Sequence, residues 1–397
     1  MLIKIYQVDR NMEGNRFFGF KRIVIKIGSA LLIDENGNFN KKWLENIASE
    51  IALLLDEEIE VLIVSSGAVA IGSGIIRRKR SSMNINELQA AAAMGQAQLV
   101  MEWQSALSDH KIKTGQILLT RQDTENQKRF LNSKNTLQAL LKLNVVPVIN
   151  ENDTVAIDEL KYGDNDRLAA RVAQMVMADG LLLLSDVDGL YTSDPSKNIN
   201  IKHIPKIESV TDDILMMAGS KESNFGSGGM LTKLYAAKIA MHAGCTTIIS
   251  NGNHDKPIKH LMDNGKCSIF HAKETPQAIR KQWLAGFLDS CGAVVIDKGA
   301  ETAIKKGGSL LPVGLKSVSG NFERGDVIIV TKENGREVAK GIALYSSHET
   351  KSIIGCRSEL INEKLGYRGK TEIIHRDDLV LVQDDILINS EKWESDN

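Results

Sequence analysis

What most constrains the fold is an alternation that begins at Arg22 and runs to Ile269, in which short β-branched apolar runs take turns with segments of helical periodicity. RIVIKI (22–27) precedes KKWLENIASEIALLL (41–55), and IEVLIVS (59–65) precedes an Ala-rich stretch around Glu87 to Leu107. GQILLT, VVPVIN, GLLLLS and CTTIIS continue the series. This pattern predicts an α/β fold, an open and mainly parallel sheet sandwiched by helices. In such sheets ligands sit beyond the carboxyl ends of the strands. Those ends read Lys26-Ile-Gly-Ser29, Ser65-Ser-Gly-Ala68, Thr120-Arg-Gln-Asp123, Asn150-Glu-Asn-Asp153, Ser185-Asp-Val-Asp188 and Ser250-Asn-Gly252. All are small, polar or charged, as one crevice lined by several loops requires, although polar turns after buried strands are also ordinary.

With 397 residues, the chain has room for two or three domains. Around Trp283 to Cys291 the texture changes, and from Ala293 short strands and glycine turns dominate, so a small β-rich domain is expected. The division read from the sequence is an N-terminal extension at 1–21, an α/β domain at 22–275, a linker at 276–289, the β-rich domain at 290–380 and a tail at 381–397.

The 49 basic and 50 acidic residues leave no global field favouring nucleic acid or anionic lipid. From residue 290 onward there are 15 Lys and Arg against 17 Asp and Glu, a poor electrostatic footprint for RNA. Cys245, Cys267, Cys291 and Cys356 lie far apart with no C-x-x-C pair, and burial is the plain expectation for all four. No apolar run approaches ~18 residues, and the N-terminus is too polar for a signal peptide, so a cytoplasmic protein without a membrane span is expected.

Two segments look suited to phosphate. KIGS places Lys26 at the end of the first strand, where a solvated lysine at an ordinary turn is the alternative. GSGGMLTK (226–233) puts glycines before a helix, where the backbone can approach an anion, with Lys233 one turn further in. Two lysines converging on one crevice suit phosphoryl transfer, in which positioning and charge neutralisation carry the catalysis. NENDTV (150–155) clusters amides and carboxylates fit to grip a substrate with a cationic amino group, and KYGDNDRLAA places Asp164, Asn165 and Asp166 at a helix start, where capping is the bland role. HRDD (375–378) echoes a protein-kinase catalytic loop but lacks the companion motifs, and reads as structure in the β-rich domain.

In order along the chain, KIGSALL, SSGAVAIG, QAAAAMGQ, ILLTRQD, RFLN, VVPVINENDTVA, GDNDRLAA, LLLLSDVDGLYTSDP and GSGGMLTK resemble the amino-acid kinase family, and its branch acting on free glutamate in particular. GNFERGDVIIV, GREVAKGIALYSS and LGY followed by HRDD look like a PUA domain. The resemblance implies ATP-dependent phosphorylation, with Mg²⁺, of the γ-carboxylate of L-glutamate, the first step toward proline. It implies that Lys26 and Lys233 stabilise the transferring phosphoryl group and that Asp166 orients them. Ser66, Gly67, Asp153 and Asn165 match positions that hold glutamate. Lys26, Gly28, Ser185 and Asp186, with Gly226, Ser227, Gly228, Gly229, Met230, Leu231, Thr232 and Lys233, match the nucleotide-binding segments. Further implications are proline as feedback inhibitor, a homo-oligomer (dimer or tetramer) and hand-off to a glutamyl-phosphate reductase. No dedicated metal motif is expected, because Mg²⁺ is held mostly by phosphate and water. Acetylglutamate, aspartate, carbamate or UMP as substrate, or an RNA-binding role for the PUA-like part, are the alternatives.

Overall fold

The structure is a computed structural model describing residues 19–34, 38–155, 165–193, 201–218, 229–285 and 290–382. Two compact units are present, Met1–Pro276 and Gln277–Asn397.

The first unit is built on strands β1 (Arg22–Ile27), β2 (Glu60–Ser65), β3 (Lys113–Leu119), β4 (Val145–Glu151) and β5 (Gly180–Ser185). The short strands β6 (Leu190–Tyr191), β7 (His203–Ile204) and β8 (Lys206–Ile207) follow, then β9 (Thr246–Asn251) and β10 (Cys267–Phe270). Eight of these form one sheet in the order β3-β4-β2-β1-β5-β9-β10-β8. Pairing is parallel from β3 to β9; β10 then runs antiparallel to β9, with β8 parallel to β10. The expected α/β sheet is present, and its reversal is confined to one margin.

Alternate side chains feed the two faces, as a period of two demands. Ile23, Ile25 and Ile27 pack with the helix Lys41–Asp56 in one core, and Val24 joins the helix Asn165–Val176 in the other. Both faces are covered, so the strands read as unbroken apolar runs, each buried Ile or Leu contributing ~1.5–3 kcal/mol. Lys26 shares the parity of Val24. It therefore emerges, at the strand's end, on the side of the helices Asn165–Val176 and Met230–His242.

On the opposite face the helices Ala68–Ile76 and Ile85–Ser108 cross at two glycines. A Cβ on Gly72 would stand 1.8 Å from the Ala91 carbonyl oxygen, and one on Gly95 would stand 1.9 Å from that of Ala68. Only a residue without a side chain permits that approach.

The second unit holds β11 (Gly292–Ile296), β12 (Leu315–Gly320), β13 (Val327–Lys332), β14 (Glu337–Ile342) and β15 (Leu379–Leu381), in the order β12-β11-β13-β14-β15. Val294, Ile296, Ile328, Val330 and Ala339 centre its core, as the β-rich reading requires. HRDD forms a tight turn whose buried Asp378 pairs with Arg280 at 3.2 Å, a structural use of that motif. A helix at Pro276–Ala285 occupies most of the segment read as linker. Cys245, Cys267 and Cys356 are buried, but Cys291, next to the first strand of this unit, is exposed, contrary to expectation. Most of the N-terminal extension and nearly all of the tail lie outside the described residues.

Candidate active site

A cavity of about 410 Å³ opens beyond the carboxyl ends of β1, β2, β4 and β5. The loop after β1 contributes Gly28 to Leu31, the turn after β2 contributes Ser66 to Ala70, and β5 ends into it at Ser185, Asp186 and Val187. Asn150 and Glu151 at the end of β4, and Asp153 in the turn that follows, complete the lining on that side. The ends of β3 and β9, predicted to join them, do not border it. Thr120 and Asp123 are used instead in a capping box on the helix Arg121–Glu125, and the Gly252 carbonyl accepts from Trp43 Nε1 at 2.7 Å.

The charged centre is built from three distant segments. Asp166, in the first turn of its helix, is 1% exposed. Lys26 Nζ lies 2.6 Å from its Oδ1, and Lys233 Nζ lies 3.2 Å from its Oδ2. Thr232 Oγ donates to the same Oδ2 at 2.8 Å. Burial by itself pushes this carboxyl upward, but the ammonium groups of Lys26 and Lys233 outweigh it and hold the pKa at about 2. Both lysines are buried and both border the cavity, so one fixed anion aims two cations at the space above it.

Beside this centre Asn165 Nδ2 donates to Ser66 Oγ at 2.7 Å and to Asn150 Oδ1 at 2.9 Å, with the Ser65 carbonyl at 3.3 Å. Gly67 turns the chain between β2 and its helix at φ +116°, and a Cβ there would meet Ile33 Cδ1 at 2.4 Å. Both its dihedral and its space require glycine.

The amino acid kinase family matches residues 21–251, and the PUA domain family matches residues 292–365. Glutamate 5-kinase of Paramagnetospirillum magneticum is 48% identical over 91% of this chain and 98% of its own. Glutamate 5-kinase 1 of Rhizobium meliloti is 48% identical over 91% of this chain and 92% of its own. The chain belongs to the amino acid kinase family, on its glutamate 5-kinase branch. Among solved structures, the UMP kinase of Ureaplasma parvum aligns with 63% of this chain and 98% of its own, at 21% identity and a TM-score of 0.46.

This amino acid kinase brings most of the predicted site residues to one cavity: Lys26, Gly28, Ser66, Gly67, Asp153 and Asn165 on one side, and Ser185, Asp186, Gly229, Met230 and Lys233 on the other. Asp166 lies beneath them. Thr232 faces Asp166 rather than the cavity, and Leu231 is half-buried off its wall. The Gly28 N–H donates to the Leu184 carbonyl at 3.2 Å. Gly226, Ser227 and Gly228 lie outside the described residues, as does Asp164.

The sequence reading assigned no role in the kinase site to Arg80, which stands at the rim, or to Gln96. Gln96 accepts from Asn150 Nδ2 at 2.8 Å and is buried. A signal was present: Gln96 occupies the face of its helix that also carries Ala92, Leu99 and Trp103, where an apolar residue is the rule.

Proposed function

We propose that this kinase transfers the γ-phosphoryl group of ATP to the side-chain carboxylate of L-glutamate. The observation that carries the reading is the Lys26–Asp166–Lys233 triad at the foot of the cavity, taken with relatives named glutamate 5-kinase at 48% identity. A carboxylate oxygen attacks the γ-phosphorus, the bond to the bridging β-oxygen breaks, and ADP leaves with an acyl phosphate as product. No proton moves, because a γ-carboxylate is already ionised at neutral pH. What the reaction needs is fixed positive charge around an anionic phosphoryl group. Lys26 and Lys233 supply it, pre-aimed by Asp166.

No group of three His, Cys, Asp or Glu suited to a metal ion occurs among the described residues. A Mg²⁺ ion that travels on the β- and γ-phosphates would neutralise their charge and align them. Ser185, Asp186 and the start of the helix at Met230 hold the nucleotide in this reading, while Ser66, Gly67, Asn165 and Asp153 hold glutamate. A labile acyl phosphate calls for rapid consumption by a reductase, and self-association into a dimer or tetramer belongs to the same reading.

Proline carries an α-carboxylate and a cationic nitrogen but nothing to phosphorylate, so it occupies the glutamate site without reacting. Asp153 pairs with either ammonium. Asp153→Asn is expected to raise glutamate KM and the half-inhibiting proline concentration together, each about tenfold for a lost pair of ~1.4 kcal/mol. A glutamate KM that climbs while proline sensitivity stays fixed would separate the two sites. The reaction itself is tested by ATP turnover over an amino-acid panel with hydroxylamine present. Hydroxamate from glutamate alone is the expected result, and hydroxamate from another acid would replace the substrate assignment.

A further inference from the structure

Four polar side chains run in series through the buried wall of the cavity. Gln96 Oε1 accepts from Asn150 Nδ2 at 2.8 Å, Asn150 Oδ1 accepts from Asn165 Nδ2 at 2.9 Å, and Asn165 Nδ2 donates again to Ser66 Oγ at 2.7 Å. Gln96, Asn150 and Asn165 are each less than a tenth exposed. A chain of amides can in principle run in either sense, since each has a donor end and an acceptor end. Here one member fixes the sense. The Ser65 carbonyl oxygen, which can only accept, stands 3.3 Å from Asn165 Nδ2, so the NH₂ end of Asn165 must face it.

The rest follows by elimination. With its NH₂ facing Ser65, Asn165 donates to both Asn150 and Ser66, so Asn150 must turn its oxygen toward Asn165 and its NH₂ toward Gln96. Gln96 must then present oxygen. At the other end, Ser66 Oγ is an acceptor toward Asn165, which leaves its own proton free to point elsewhere, and Ser66 borders the cavity. Among the described residues no acceptor takes that proton.

We infer that Gln96 is a positioning residue that satisfies the buried end of this chain, whose sense the Ser65 carbonyl sets, and so holds Asn150 and Asn165 in the arrangement that leaves Ser66 a donor toward a substrate carboxylate and Asn165 Oδ1 an acceptor. The inference rests on the glutamate reading above. Gln96 reaches this pocket from the helix Ile85–Ser108, through the closely packed face on which Gly95 meets the Ala68 carbonyl. Removing its oxygen orphans Asn150 Nδ2 in a buried place. Asn150 cannot escape by flipping, because its NH₂ would then meet the NH₂ of Asn165. The cost falls on the pocket's order, and hence on glutamate rather than on ATP.

The test compares Gln96→Met, which keeps volume and removes the acceptor, with Gln96→Glu, which retains an acceptor oxygen in either protonation state. Hydroxamate formation gives kcat and both KM values. Gln96→Met is expected to raise glutamate KM about tenfold while ATP KM stays within about twofold, and Gln96→Glu is expected to recover most of the difference. Combined with Ser66→Ala, Gln96→Met should add little, since both act through the same hydroxyl. If Gln96→Met does not fold, Gln96→Asn, one methylene too short to reach Asn150, makes the same comparison. A wild-type glutamate KM in Gln96→Met, or equal impairment in both variants, would overturn the relay. Failure of the unmodified enzyme to act on glutamate would instead overturn the substrate reading beneath it.

Discussion

Taking the charge from Asp166 would leave Lys26 and Lys233 beside a buried carboxamide, two ammonium groups with no anion between them. Asp166→Asn is therefore expected to destabilise the first unit by ~3 kcal/mol or more at pH 7. The sign with pH follows from the depressed carboxyl. Its stabilisation is complete above the ordinary carboxylate value and is lost as pH falls toward about 2, so the gap between wild type and variant should narrow as pH is lowered from 7 to 3. Urea unfolding of both proteins at the two pH values measures this, and a gap that widens in acid would contradict it. In the proposed reaction both lysine charges act on the transition state, so Lys26→Ala and Lys233→Ala should each lower kcat by ~100-fold or more in folded protein. A normal kcat in either would remove that lysine from the reaction. These three residues were legible because each stands at a strand end or helix start with glycines or acids beside it. Gln96 was not, because it sits mid-helix and its partner Asn150 lies 54 residues away.

The crossing of the helices Ala68–Ile76 and Ile85–Ser108 shows how an element reaches the site. The first begins two residues after Ser66, so any shift in the crossing moves the turn that carries Ser66 and Gly67. Gly95→Ala forces a methyl group against the Ala68 carbonyl oxygen, and is expected to cost ~1–3 kcal/mol and to raise glutamate KM more than ATP KM. Thermal unfolding and kinetics check it together; an unchanged Tm with an unchanged glutamate KM would show that the helices part freely. The long central strands were readable as apolar runs, because burial on both faces leaves no polar alternation to confuse them. The reversed margin was not, since β8 has two residues and β10 four, too short for any period to show. The uncommitted ends of β3 and β9 were also hidden, because a polar turn that caps a helix or receives Trp43 looks the same in sequence as one that meets a ligand.

Across the whole molecule each unit encloses its own apolar core, with Ile23 to Cys267 and Val24 to Phe270 spanning those of the first and Val294 to Leu379 that of the second. Every described residue assigned to the chemistry belongs to the first. A fragment of residues 1–276 is expected to fold and to keep glutamate-dependent ATP turnover within about threefold of the full chain. A folded, monodisperse fragment without turnover would mean that the second unit contributes to the site. From a change of texture the sequence expects a division here, and it reads as linker a stretch that holds the helix Pro276–Ala285, since ten residues of mixed polarity resemble a tether.

The position of β1 also bears on how the chain is made. It lies between β2, which follows it closely, and β5, which begins only at Gly180. While a ribosome is still extending the segment between them, one flank of β1 has no strand to pair with, and its row of unpaired N–H and C=O groups is a ready template for another nascent chain. The closing strand arrives more than a hundred residues later. Slower elongation or chaperone cover over that interval is therefore expected to raise the yield of soluble enzyme.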